Sequence, residues 1–243
     1  MVRRMLPASH APIGRSVLGL DGLARFAARL VDLALAPSCA GCGREGASLC
    51  DACATVLLGR VDVAPGLPVG MPSDVPLPLV ALEWCVPYAG LGRRAIHALK
   101  YGGERRLAEP LGMALAARWR GAGLRADVIV PVPVHADRLR ERGFDQAEAL
   151  ARVAAAGLGL RCVPVLERRR ATRRQSELGR SARSANVAGA FAVRPAATRA
   201  VAGKVVLLVD DVATTGATLR AAAVALMDAG AMAVAALTVA RER

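Results

Sequence analysis

The stretch VVLLVDDVATTGATL, residues 205–219, decides how the rest of the chain is read. Val205 through Val209 are continuously apolar and mostly β-branched, which predicts a parallel strand buried on both faces. Asp210 and Asp211 then fall at its carboxyl end, the edge where open α/β sheets hold ligands. The loop from Ala213 through Thr214, Thr215, Gly216, Ala217 and Thr218 supplies hydroxyls, a glycine free to take positive φ, and backbone N–H groups at the start of an alanine-rich helix. Unpaired N–H groups and the helix dipole both favour an anion at such a place. Two carboxylates beside an anion cradle are contradictory unless the ligand also carries hydroxyls or a divalent cation. A sugar phosphate with a free diol satisfies both halves, the acids accepting from the diol and the loop donating to the phosphate. The plainer alternative is an acid pair that ends a strand and a Thr-Gly turn that caps a helix; the complete order of strand, acids, loop and helix favours the ligand.

Upstream, DVIVPVP (Asp127–Pro133) predicts a second apolar strand, then a basic loop with glycine and a helix from about Gln146. Arg138 and Arg142 in that loop present guanidinium forks suited to phosphate oxygens. His135 either donates to the same group or caps locally. Lys100, just before Gly102 and Gly103, either reaches an anion or is solvated at a helix end. Leu79–Tyr88 reads as an edge strand, followed by a helix through Arg93, Ile96 and Leu99. A second helix, Glu104–Arg120, presents Leu107, Leu111, Leu115 and Trp119 on one face. Arg161–Leu166 predicts a strand, and the polar stretch after it, with Arg173, Arg174 and Gln175, is too long for an ordinary connection. Such a stretch is either an active-site lid or a solvated arginine run. Phe191 and Val193 mark a short strand, Thr218–Asp228 a helix, and Ala233–Ala240 the closing strand. Repeated strand-helix units give a parallel sheet covered on both faces, an α/β fold.

At the amino-terminal end, residues 1–18 lack a period and read as a leader, and an amphipathic helix, with Leu23, Phe26, Leu30, Leu33 and Ala34 on one face, follows from Asp21 and ends before Pro37. Cys39 and Cys42, then Cys50 and Cys53, form two CxxC pairs seven residues apart. Each short pair makes a knuckle whose thiolates face one ion, so tetrahedral structural zinc is expected, with Gly41 and Gly43 permitting the turn. Disulfides are the competing reading, disfavoured where no secretory signal is found. Cys85 and Cys162 sit in apolar contexts and read as structural thiols. Prolines at 65, 68, 72, 76 and 78 exclude helix and central strand from residues 61–78, which predicts a linker between a small module at 19–60 and a domain at 79–243.

The formal charge of +13 is compatible with nucleic acid or another anion. Of the 33 basic residues only Lys100 and Lys204 are lysine, which points to a compositional bias rather than a selected surface. Aromatic residues make up 3%, too few for a base-stacking platform. No apolar run is long enough to cross a bilayer and no signal peptide is evident, so a cytoplasmic protein is expected.

Residues 205–219 resemble the signature by which type I phosphoribosyltransferases bind 5-phosphoribosyl-1-pyrophosphate (PRPP) with Mg²⁺. The resemblance implies that Asp210 and Asp211 contact the ribose hydroxyls, with catalytic roles, and that residues 213–218 wrap the 5'-phosphate. It also implies that the loop after the second strand, with Lys100, holds the pyrophosphate, and that Arg173, Arg174 and Gln175 lie on a closing loop. Taken with LCDAC, LKYGG and PVPVHADRLRERGFDQA, the chain from about Leu30 to Arg241 is similar to the ComF family: an amino-terminal double-CxxC zinc module, ribbon-like, joined to a parallel-sheet phosphoribosyltransferase domain. Asp145 replaces the usual asparagine of that family. The resemblance implies a link to DNA uptake in natural transformation, with single-stranded DNA or competence proteins as partners. Whether the chain is a transferase or a non-catalytic PRPP-, DNA- or partner-binding protein is left open by these residues, as is the acceptor.

Overall fold

In the computed structural model of the protein, residues 37–66, 75–169 and 189–242 are described. The leader, the helix from Asp21 and the positions 173–175 lie outside them. Helix α1 is Asp51–Leu57, and strand β1 is Ala81–Pro87. Helix α2 (Gly90–Tyr101) leads through one 3₁₀ turn, Arg105–Leu107, into α3 (Ala108–Gly121). Strand β2 (Val128–Pro131) is followed by α4 (Ala136–Arg142) and α5 (Gln146–Leu158). The short strands β3 (Arg161–Cys162), β4 (Leu166–Arg168) and β5 (Phe191–Val193) precede β6 (Val205–Ala213), α6 (Ala217–Asp228) and β7 (Ala233–Arg241).

Five strands form one parallel sheet in the order β1-β7-β6-β2-β3. Its centre is β6, where Val206 through Val209 are fully buried, as a continuously apolar strand between two layers must be. Leu207 and Val209 pack on one face with Ile96, Leu99, Leu111, Leu115 and Leu150 from α2, α3 and α5. Val206 and Leu208 pack on the other with Leu219, Ala222 and Leu226 of α6 and with Phe191 of the β4–β5 ribbon. Cys39, Leu49 and Leu57 belong to the first of these cores, so the cysteine-rich segment and the sheet share apolar contacts.

Three local expectations change. The expected strand 205–209 runs on to Ala213, because β7 pairs beside it as far as Ala213↔Arg241 and keeps its backbone groups partnered. The expected strand 161–166 divides: β3 pairs with β2, whereas β4 leaves the sheet to pair antiparallel with β5. Pro164 lies between the two and has no N–H for a ladder. The basic loop after β2 is largely helical: α4 is capped by His135 and stopped by Gly143, whose φ of 70° is the left-handed conformation of a helix end.

Candidate functional site

β2 ends at Pro131, opposite Val209, whereas β6 and β7 continue side by side. The acid pair therefore lies where the sheet opens on its β2 side, at the carboxyl edge. Successive residues of a strand face opposite layers, so the two acids have different surroundings. Asp211 faces α2; its side chain is 5% exposed and its Oδ2 is 2.6 Å from Lys100 Nζ. Asp210 faces the β4–β5 side and stays partly exposed. The Asp211 N–H donates to Asp210 Oδ1 at 2.8 Å.

The charges are strongly coupled. Burial, then the neighbouring Asp211 carboxylate, raises Asp210 well above the usual carboxylate range, and Lys100 only partly opposes this. Burial alone would lower Lys100, but Asp211 and Asp210 outweigh it and hold the ammonium above its ordinary value. Lys100 is thus a fixed cation at the base of the site.

Beyond β6 the backbone turns at Gly216, whose φ is 73°, into α6. The cap position, Gly216, has no side chain to offer that helix, and the Ala217 N–H donates a long 3.4 Å bond to Thr215 Oγ1. Thr215 is exposed, and Thr214, Ala217 and Thr218 are half-buried. Gly216 is buried against Pro76, and a Cβ at this position would collide with that ring. Nearby, Arg220 Nε donates to the Leu77 carbonyl at 3.2 Å.

The other expected phosphate ligands are dispersed. His135 Nδ1 accepts from the Asp137 N–H at 3.3 Å and lies 3.1 Å from Asp137 Oδ2, so it acts as the cap of α4. Arg142 donates to Gln146 Oε1 at 3.0 Å and to Tyr101 Oη at 3.2 Å, with its guanidinium over the Tyr101 ring. This draws it toward the end of α2. Arg138 is half-buried on α4. Burial lowers Arg168 of β4; the Asp210 charge supports its cationic form and the Arg138 charge opposes it, so Arg168 lies in the field of the partly exposed acid. Arg168 also lies over the Phe191 ring. Asp145 caps α5 through Oδ1, which accepts from the Glu148 N–H, and Oδ2 accepts from the Val134 N–H, both at 3.0 Å.

The sulfurs of Cys39, Cys42, Cys50 and Cys53 all lie within 4.8 Å of one another. Cys42 Sγ and Cys50 Sγ are 3.6 Å apart, close to the roughly 3.8 Å edge of a tetrahedron with ~2.3 Å metal–sulfur bonds. Burial opposes ionisation of Cys39, but the backbone N–H groups of Cys50, Cys42 and Gly41 outweigh it and lower the thiol to about 6. Burial and the neighbouring cysteines push Cys53 up to about 12. Four converging soft donors fit a metal ion, which would supply the positive charge that four thiolates need.

The sequence profile described as the phosphoribosyl transferase domain matches residues 120–243. The chain is also 32% identical over 225 residues to the DNA utilization protein YhgH of Salmonella typhimurium strain LT2, covering 89% of this chain and 94% of that protein. This chain belongs to the phosphoribosyl transferase family of the ComF type. The protein of the same name from Escherichia coli K12 is 30% identical over 226 residues, covering 90% and 95% of the two chains. Among solved structures, the glutamine PRPP amidotransferase of B. subtilis, complexed with ADP and GMP, matches with 24% identity and a TM-score of 0.36. The match covers 53% of this chain and 25% of that larger one.

The sequence assigns no role to Tyr101 or to the ion pair between Glu83 and Arg118, and it places Arg168 at the start of the polar stretch after the 161–166 strand, whereas Arg168 ends β4. Glu83 is 1% exposed on β1 and Arg118 1% exposed on α3, with Arg118 Nε donating to Glu83 Oε2 at 3.0 Å. Arg118 also donates to the carbonyls of Arg60 and Val63, and Glu83 Oε1 accepts from the Gly66 N–H. The signal was legible: a lone carboxylate inside an apolar strand and an arginine beside a leucine stripe are costly unless they meet.

Proposed function

We propose that this protein binds PRPP, or a sugar phosphate like it, together with Mg²⁺, and transfers or recognises its phosphoribosyl group. The observation that carries the reading is the partly exposed Asp210 at the open end of β6, one short turn before the amide end of α6. Asp210 accepts from the ribose diol and the backbone from Ala213 to Thr218 takes the 5'-phosphate. Lys100, Arg138 and Arg142 balance the charge of the pyrophosphate, with His135 orienting α4 by capping it. Asp211 acts through Lys100, with which it is already paired. In transfer, negative charge on the departing pyrophosphate is stabilised by these fixed cations while the acids favour positive charge at the ribosyl carbon. The relatives named as DNA utilization proteins support a role in the use of DNA, and the competence machinery is its setting in this reading. Among the described residues no helix is long and apolar enough to cross a membrane, in keeping with the proposed cytoplasmic location. The four cysteines hold structural zinc.

A second reading, a PRPP-binding protein without turnover, is favoured by one feature: Asp211 is buried against Lys100, which leaves a single acid facing the opening. Calorimetric titration with PRPP and Mg²⁺ tests binding, and release of pyrophosphate in the presence of a panel of nucleobases separates the two readings. Heat of binding lost in Asp210→Asn supports the site. No heat with the zinc-loaded wild type would end both readings. A band shift with single-stranded DNA that weakens steeply with salt would instead support direct nucleic-acid binding.

A further inference from the structure

Helix α2 touches two places at once. Toward its amino end, Arg94 Nε donates to the Gly41 carbonyl at 2.8 Å, inside the first CxxC turn. Gly41 is wedged between α2 and a cysteine: a Cβ on it would lie within 2.5 Å of both Leu91 Cδ1 and Cys53 Sγ. In the last turn of the same helix Lys100 reaches Asp211. Lys100 is six positions beyond Arg94, about 9 Å along a helix axis.

The amino end of α2 needs this support. Its cap position, Ala89, offers no side-chain acceptor to the first-turn N–H groups, and no acidic residue stands in that turn to complement the dipole. An uncapped helix of 12 residues is marginal without packing. The sheet holds its inner face through Ala95, Ile96 and Leu99, all 0% exposed, while the cysteine turn holds the side carrying Leu91 and Arg94. Gly41 belongs to a turn whose shape is set by four thiol side chains drawn to one point. A metal there would tie the buried Cys39, the half-buried Cys50 and Cys53 and the exposed Cys42 to one point and so fix the turn.

We infer that α2 is a coupling element, through which metal held by Cys39, Cys42, Cys50 and Cys53 keeps Lys100 seated on Asp211 and thereby sets the charge of the acid pair. The inference rests on the metal reading of the cysteines and gives the proposed PRPP site a dependence on that metal.

The chain provides its own assay, because Lys100 and Lys204 are its only lysines. Lys204 Nζ donates to the Ala200 carbonyl at 3.0 Å, away from α2, and serves as an internal reference. Full-length protein loaded with zinc is compared with protein stripped by a chelator, using reductive methylation read at each lysine by mass spectrometry. The expected result is a rise of about tenfold or more in the labelling rate of Lys100 on metal removal, with Lys204 changed by less than about twofold. Equal labelling of Lys100 in the two states overturns the proposal, and so does a parallel rise at both lysines, which would mean loss of the whole fold. A second arm leaves the thiols untouched: Leu91→Ala with Arg94→Ala, still binding zinc, must raise Lys100 labelling several-fold, and an unchanged rate also overturns it. Titration of the same samples with PRPP and Mg²⁺ is read separately. Absence of binding by the loaded wild type would remove the PRPP reading while the lysine result still decides the coupling.

Discussion

Asp210 and Asp211 are adjacent in sequence yet do different work. One faces the opening among arginines, and the other is sealed beneath α2 against an ammonium group. Because Asp210 is raised well above 3.8, it loses its charge on mild acidification, at a pH where ordinary carboxylates are still ionised. Binding of Mg²⁺ with PRPP requires the charged form, so affinity should fall as the pH is lowered from neutrality toward the range where ordinary carboxylates titrate, the reverse of what simple protonation of a phosphate-binding cation would give. Calorimetry across that range checks the sign. Lys100→Met should weaken PRPP binding by about 10- to 100-fold and leave Asp211 a buried, unpaired acid; the expected cost of about 3–5 kcal/mol is readable by urea denaturation. The acids and their loop were legible at the level of residue type and order. Their inequality was not, since a strand places neighbours on opposite faces and only the tertiary fold decides what each face meets.

Among the elements, the turn between β6 and α6 and the short helix α4 carry most of the consequences. Gly216→Ala combines a positive φ with a collision against Pro76 and should destabilise the fold by about 1–3 kcal/mol. Because the same turn supplies the amides of the proposed phosphate cradle, PRPP affinity should drop with it, whereas Gly203→Ala, also at positive φ but at an open position, should cost stability without affinity. Asp145→Asn removes one of two carboxylate acceptors at the start of α5, since an amide nitrogen cannot accept from an N–H. The expected loss is about 1 kcal/mol by thermal unfolding. Strands β1, β2 and β7 and helices α2, α3, α5 and α6 follow the periodicities in the sequence closely, and β6 does so as far as Val209 before running on to Ala213. Helix α4 and the division of β3 from β4 did not, because a two-turn basic helix has no apolar stripe to announce it, and the partner of β4 is set by a distant segment. The positions 173–175 lie outside the described residues, and their role as a closing loop is a proposal.

For the whole molecule, the buried Glu83–Arg118 pair and its satellites tie the segment after the cysteines to the sheet and to α3. Arg118→Ala leaves Glu83 buried without its main partner and should cost about 3–5 kcal/mol, whereas replacing Glu83 and Arg118 together with Leu and Met should recover much of it. The double cycle by chemical denaturation is the check. The same network presses the Arg60 guanidinium over the Trp84 ring at 3.6 Å from its centroid. Trp84 and Trp119 are the chain's only tryptophans and are 2% and 3% exposed. The intact protein should therefore emit at short wavelength, and a cation resting on one indole should perturb its light. Peeling residues 37–66 from the sheet while the strands stay paired would wet Trp84 first, so a red shift without loss of circular dichroism would register that single event optically.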